Sequence, residues 1–208
     1  DSQTLPQVKS KMSQLQVVSL GDNNLDTLVQ QLPEGGLSSG MKGQAEMAAA
    51  AFSAGLAVTA NLTADSGFDT HGDHDRNQTN ALSRLIDGVD HLMNELERQG
   101  LLDITTVLVG SDFGRTPYYN SGDGKDHWNV TSILAMGKGI TGNRVIGATD
   151  ENFEAIALNA ETLQPDANGM LITPGHIHAA LRRLAGIENN SITQDFPLEE
   201  DFINLFSV

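Results

Sequence analysis

The 208-residue chain contains no cysteine. That absence excludes disulfides, thiolate metal ligands and a cysteine nucleophile. It also suits an exported protein, which gains by avoiding unwanted thiol oxidation. Basic residues are scarce: 12 Lys and Arg face 27 Asp and Glu, for a formal net charge of −15. A main partner made of DNA, RNA or anionic lipid needs a basic face, so those partners are argued against. No apolar run approaches the ~20 residues that span a bilayer. The longest, Ala48–Ala60, is broken by Ser53, Gly55 and Thr59, and reads as a packed helix running into a strand. There is no internal repeat and no low-complexity tract. The chain starts at Asp1 and carries no visible signal peptide. Its first residue therefore reads as a processing, cloning or proteolysis point.

What is present is a globular composition, 39% hydrophobic and 19% charged, long enough for one domain or a large piece of a bigger one. Residues 1–40 form a poorly defined lead-in. Gln7–Leu20 reads as an amphipathic helix, or as a short strand at Gln16–Ser19. Helix formers run from Lys42 to Gly55, and Leu56–Leu62 alternates as a strand would. Apolar residues at Leu82, Leu85, Ile86, Val89, Leu92, Met93 and Leu96 keep helical spacing, with Asn77 or Thr79 as the cap and Gly100 as the stop. Ile104–Val109 and Val130–Met136 read as buried strands, the first parallel to its neighbours. Met170–Ile172 reads as a short strand. Thr173 and Pro174 open a helix through Leu184 that Gly186 ends. The acidic tail from Leu198 packs down through Phe202, Leu205 and Phe206. The order of elements predicts an α/β fold with functional residues just past the carboxyl ends of strands.

Two loops carry the chemistry. The first holds Asp69, His71, Asp73, His74 and Asp75 within seven residues. Carboxylates packed this densely repel one another unless a cation or a base neutralises them. Mixed carboxylate and imidazole donors suit zinc, manganese or iron, with magnesium or calcium where oxygen ligands dominate. Asp69 and His71 read as ligands, whereas Asp73 and Asp75 read as caps of the next helix. In the second loop Asp112 follows a buried strand directly, which would hold its carboxylate rigidly. Arg115 either forks onto a phosphate or sulfate or pairs with a nearby acid. Asp126 and His127 make an adjacent carboxylate–imidazole pair. His91 reads as a surface or boundary residue. His176 and His178, two apart on a helix, face different ways and do not share a metal. Thr149 and Asp150 read as a turn.

The order FDTHG, SDFGRTP, KDHW and GKGITGNRVIGATDE resembles a large uncharacterised family of exported bacterial proteins in the alkaline-phosphatase and sulfatase-like superfamily. The resemblance runs from about Ala64 to Gly186. It implies a mostly parallel central sheet flanked by helices, a twin-arginine export signal and a periplasmic or extracellular location. It also implies that residues 1–208 are a single alkaline-phosphatase-like domain, the carboxyl-terminal portion of a longer protein.

By motif, the resemblance makes Asp69 and His71 ligands of one divalent metal and Asp112 the carboxylate on another. Asp126 and His127 are the late ligand group. Zinc is the first expectation, with manganese, magnesium or calcium as alternatives. Many superfamily members carry a His directly after the second carboxylate, where this chain has Phe113. The superfamily nucleophile lies upstream of these motifs, and residues 1–60 offer no candidate for it. The function implied is a metal-dependent hydrolase of phosphate or sulfate esters, with Arg115 on the anion. The partner expected is a small anionic ester or an envelope glycan, together with a missing amino-terminal portion or an oligomer partner. The rival is a non-catalytic envelope binding or scaffold protein with a partial or vestigial metal site.

Overall fold

The computed structural model describes residues 25–64, 67–198 and 202–206. The helix or strand expected within Gln7–Leu20 lies outside the described residues. The chain divides into two compact units, Asp1–Asp103 and Ile104–Val208.

The first unit is built on two helices that pack together, α1 (Gly40–Ser53) and α2 (His74–Arg98). Helix α1 buries Met41, Ala45, Ala48 and Ala49, a stripe of mostly small side chains at helical spacing that lets α2 come close. Helix α2 answers with Ala81, Gly88, Leu92 and Leu96. Gly88 would ordinarily cost a helix interior ~1 kcal/mol relative to Ala. Here a Cβ at position 88 would stand 2.6 Å from the Met41 sulfur, so the missing side chain is where Met41 lies. Leu96 is fully buried, and burial of that side chain contributes ~1.5–3 kcal/mol. The other apolar stripe of α2 is less enclosed: Leu82 and Ile86 are exposed. Helix α2 ends as expected at Gly100, whose φ of 68° lets the Leu101 N–H return to the Leu96 carbonyl at 2.7 Å. Its start differs. The helix begins at His74, and Asn77 lies inside its first turn, donating from its side chain to the Gly72 carbonyl at 3.0 Å.

A buried carboxylate ties the first unit together. Glu46 on α1 accepts the Ser38 N–H at 2.7 Å and the Ser38 hydroxyl at 2.6 Å. It also accepts His91 Nε2, from α2, at 2.9 Å. Burial acts most strongly on Glu46 and pushes its pKa up. The Ser38 and His91 hydrogen bonds and the His91 charge outweigh it, and the carboxyl titrates below the usual range.

A 3₁₀ turn at Leu102–Ile104 leads into β1 (Thr106–Val109), the first strand of the second unit. Then come β2 (Gly114–Arg115), β3 (His127–Trp128), β4 (Leu134–Gly137), α3 (Pro174–Leu184) and α4 (Ser191–Asp195). Strand β1 pairs antiparallel with β4 in the register Thr106↔Gly137 to Val109↔Leu134. Strand β2 pairs antiparallel with β3. The core gathers Ala180 of α3 with Ile203, Leu205 and Phe206 of the tail, and Leu108 and Ala135 of the β1–β4 pair pack on it. The tail thus docks as its apolar residues predict, except that Phe202 is exposed with the Arg183 guanidinium 4.4 Å above its ring.

The expected mostly parallel central sheet, alkaline-phosphatase-like and flanked by helices, is overturned. Among the described residues the named strands form two separate two-stranded antiparallel sheets. The physical reason lies in burial. A parallel strand is covered on both faces, whereas every residue of β1 is only half-buried and the ends of β4 are exposed. Leu56–Leu62 forms no strand; Val58 is 93% exposed, so its alternation meets no partner. Met170 contributes one isolated antiparallel bridge, to Leu158, rather than a strand. No described helix is long and apolar enough to cross a membrane.

Candidate functional site

In the first unit the candidate residues lie on the segment that enters α2. Thr70 is 1% exposed, and its hydroxyl sits 2.7 Å from Nδ1 of His74, the first residue of α2. Its neighbours Asp69 and His71 are turned outward and meet: His71 Nε2 lies 3.1 Å from Asp69 Oδ1, with both side chains largely exposed. One buried hydroxyl therefore anchors the segment between two outward ligand-type side chains. Asp73 holds the N-cap position with φ 46°, in the left-handed region that Asp tolerates better than most residues. Its carboxylate makes no cap hydrogen bond and instead pairs with Arg76. Asp73 thus caps by position and not by its side chain. Asp75 lies in the first turn, where its charge suits the helix dipole.

In the second unit the candidates collect on the β2–β3 hairpin. The register sets Arg115 opposite His127 and Gly114 opposite Trp128. Gly114 must lack a side chain, because a Cβ there would stand 2.0 Å from the Val130 carbonyl oxygen. Phe113, in the place of the expected histidine, stacks on the His127 ring with centroids 3.9 Å apart. The Arg115 guanidinium stands 5.7 Å from the Phe113 ring centre, and its Nη1 donates to the Lys125 carbonyl at 3.1 Å. Asp126 Oδ1 accepts the Asn120 amide at 3.0 Å. Asp112 is exposed between β1 and β2. The structure therefore brings Asp69 to His71, and it gathers Phe113, Arg115, Asp126 and His127 on one hairpin.

The hairpin loop is held from within. Thr116 N–H donates to the Asp126 carbonyl at 2.9 Å, and Asp126 N–H donates to the Thr116 hydroxyl at 3.1 Å. Asn120 Oδ1 accepts the N–H groups of Gly122 and Gly124 at 2.9 and 3.0 Å. These side-chain bonds make the turn that a loop rich in Gly, Asn and Asp forms.

Two more histidines have defined partners. His91 bonds Glu46 across 45 positions of sequence. His176 is buried, and its Nδ1 accepts the Thr173 N–H at 3.0 Å, with the Thr173 hydroxyl at 2.8 Å. A backbone N–H only donates, so Nδ1 is the acceptor in that bond. The spacing of Thr173 and His176, N-cap and third helical residue, is the signal that finds this cap. His178 is exposed, on the other face as its spacing predicts. Asp150 makes a turn, accepting the N–H groups of Glu154 and Asn152 at 2.9 and 2.8 Å. Those bonds, Glu154 first, hold its carboxyl below its usual pKa.

No curated protein and no solved structure matches the chain. A family model does match, over residues 10–196, and its description is a protein of unknown function (DUF1501). With most of its length inside that match, the chain belongs to the DUF1501 family.

Proposed function

We propose that this protein is an exported, metal-dependent hydrolase of phosphate or sulfate esters. The observation that supports it best is the Asp69–His71 pair: a carboxylate oxygen and an imidazole nitrogen 3.1 Å apart, both exposed, on a segment pinned by buried Thr70. Such a mixed oxygen and nitrogen donor set fits a divalent metal, zinc first, with manganese, magnesium or calcium as alternatives. In the second unit Asp112, Asp126 and His127 are the further candidate ligands, with Asp126 held by Asn120 and His127 by Phe113. When bound, the metal would polarise the ester oxygen and lower the pKa of a coordinated water. The protein's own contributions are orientation and charge. Thr70 fixes the direction of its neighbours, and Arg115 is the cation proposed for the anionic ester group.

One observation favours a second reading, a non-catalytic envelope binding or scaffold protein with a partial or vestigial metal site. Phe113 offers His127 a ring face where a histidine would offer a ligand nitrogen. Turnover of p-nitrophenyl phosphate and p-nitrophenyl sulfate by metal-loaded protein, with and without chelator, separates the two. The hydrolase reading expects release of nitrophenol that stops with chelator and returns with metal. No turnover of either ester, whether or not metal binds, would remove the hydrolase reading and leave the second standing.

A further inference from the structure

We infer that the β2–β3 hairpin is a glycan-binding platform, with exposed Tyr118, braced edge-on by Trp128, stacking on a sugar ring and Lys125 pairing with an anionic substituent on it. In calling the glycan a substrate, the inference rests on the ester-hydrolase reading; as a binding site it stands on its own residues.

Aromatic residues are only 5% of the chain, yet its one Trp and both Tyr fall within residues 118–128. They do not enter a core. Tyr118 is 61% exposed and Tyr119 51%. Tyr118 meets Trp128 edge-to-face with centroids 6.1 Å apart, a favourable arrangement for two aromatic rings. The Trp128 indole N–H donates to the Phe153 carbonyl at 3.2 Å, which fixes the ring. The loop beneath is already tied by Asn120 and by the Thr116–Asp126 bonds, so little freedom is lost when a ligand settles on it.

The surroundings choose the occupant. Between Thr116 and Asn129 there is no Ala, Val, Ile, Leu or Met. A protein partner would want an apolar centre to its interface, and the hairpin has none beyond its rings. A pyranose ring asks for something else: a flat aromatic surface under its C–H face, and amides, hydroxyls and carboxylates around its hydroxyl groups. Exposed Ser121, Asp123 and Asn129 supply those groups.

Lys125 adds a preference for charge. Its ammonium donates to the Pro117 carbonyl at 3.3 Å and stands 4.9 Å from the Tyr119 ring centre. It pairs with no carboxylate among the described residues, although acids outnumber bases by 27 to 12. A sulfate, phosphate or carboxylate on the sugar would meet that ammonium.

The single Trp gives the test its readout. The full chain is titrated with dextran sulfate oligosaccharide, with unsulfated dextran of equal length and with sodium sulfate, while Trp128 emission is followed. The expected result is a saturable change with the sulfated sugar, a weaker one with the unsulfated sugar and none with sodium sulfate. Tyr118→Ala, at an exposed site, should weaken both sugars about tenfold. Lys125→Gln should abolish the preference for the sulfated sugar over the unsulfated one. Three results would each overturn the inference: no response to either sugar, a response to sodium sulfate equal to that of the sulfated sugar, or unaltered binding by Tyr118→Ala. So would an emission change that follows protein concentration without sugar, which marks the hairpin as a contact between copies. Repeating the titration in chelator separates the two readings. Sugar binding without metal keeps the platform if the metal site fails, and metal binding with no sugar response does the reverse.

Discussion

Replacing Glu46 by Gln changes one atom for another of nearly equal size and removes one charge. In the native protein the carboxylate is 4% exposed and accepts three hydrogen bonds, two from Ser38 and one from His91. A glutamine side chain keeps one acceptor oxygen and presents an NH₂ in place of the other. The Ser38 hydroxyl and His91 Nε2, which share the other carboxylate oxygen, must then accept from that NH₂ instead of donating, and every bond loses its assistance from charge. Hydrogen bonds to charged groups contribute ~1.5–3 kcal/mol, against ~0.5–1.5 for neutral ones, so the substitution should cost about 2 kcal/mol. For a chain of this length that is a fall in Tm of about 4–8 °C. The effect should depend on pH in a definite direction. The folded pKa of Glu46 lies below its ordinary value of 4.5, so its contribution is complete above about that pH and is lost as pH falls through the folded value. Thermal unfolding followed by circular dichroism at pH 7 and at descending acid pH measures both parts. Wild type should exceed Glu46→Gln at pH 7, and the gap should narrow below pH 4.5. Equal stability at pH 7, or a gap that stays constant into acid, would refute the reasoning.

Other substitutions probe other joints. Gly114→Ala places a Cβ 2.0 Å from the Val130 carbonyl oxygen. It should destabilise the second unit by ~1–3 kcal/mol, read as a lower urea midpoint. Thr70→Val keeps the shape but deletes the bond to His74; it should lower metal affinity ~10-fold by loosening the Asp69–His71 segment, measured by zinc titration. His176→Ala removes the acceptor for the Thr173 N–H at the start of α3 and should cost ~1 kcal/mol in chemical unfolding. Leu96→Ala should cost ~2–5 kcal/mol, because that side chain is 1% exposed.

The helices were the legible part of the fold. In α2 the residues Leu85, Leu92 and Leu96 repeat at helical spacing, and Gly100 ends the run in the left-handed conformation it favours. In α3 the pair Thr173 and Pro174 marks the start. The sheets were not legible. Runs such as Ile104–Val109 and Val130–Met136 do lead into β1 and β4, but an apolar run says nothing about which strand it pairs with or in which direction. The parallel arrangement was carried by the resemblance and by an expectation of burial on both faces, and half-buried β1 meets neither. The β2–β3 hairpin escaped notice because each strand is only two residues long. Its loop of Gly, Asn and Asp was the available signal.

The site was legible where its parts are neighbours in sequence. Asp69 and His71 lie two apart and do meet. Asp126 and His127 are adjacent, but what orients them, Asn120 and Phe113, follows from the hairpin register. Contacts across long separations left no trace in the sequence. Glu46 and His91 are the clearest case, since each looks like an ordinary polar residue on a helix until α1 and α2 pack.

Whether Asp69 and His71 hold a metal decides more than any other fact about this protein. Elemental analysis of protein purified after growth with zinc and dialysed exhaustively, set beside Asp69→Asn and His71→Ala, measures it directly. Bound metal in the wild type, a Tm that falls with chelator and reduced occupancy in both variants are the predicted results. A metal-free wild type whose stability ignores chelator, or variants that bind as much metal as the wild type, would contradict the assignment.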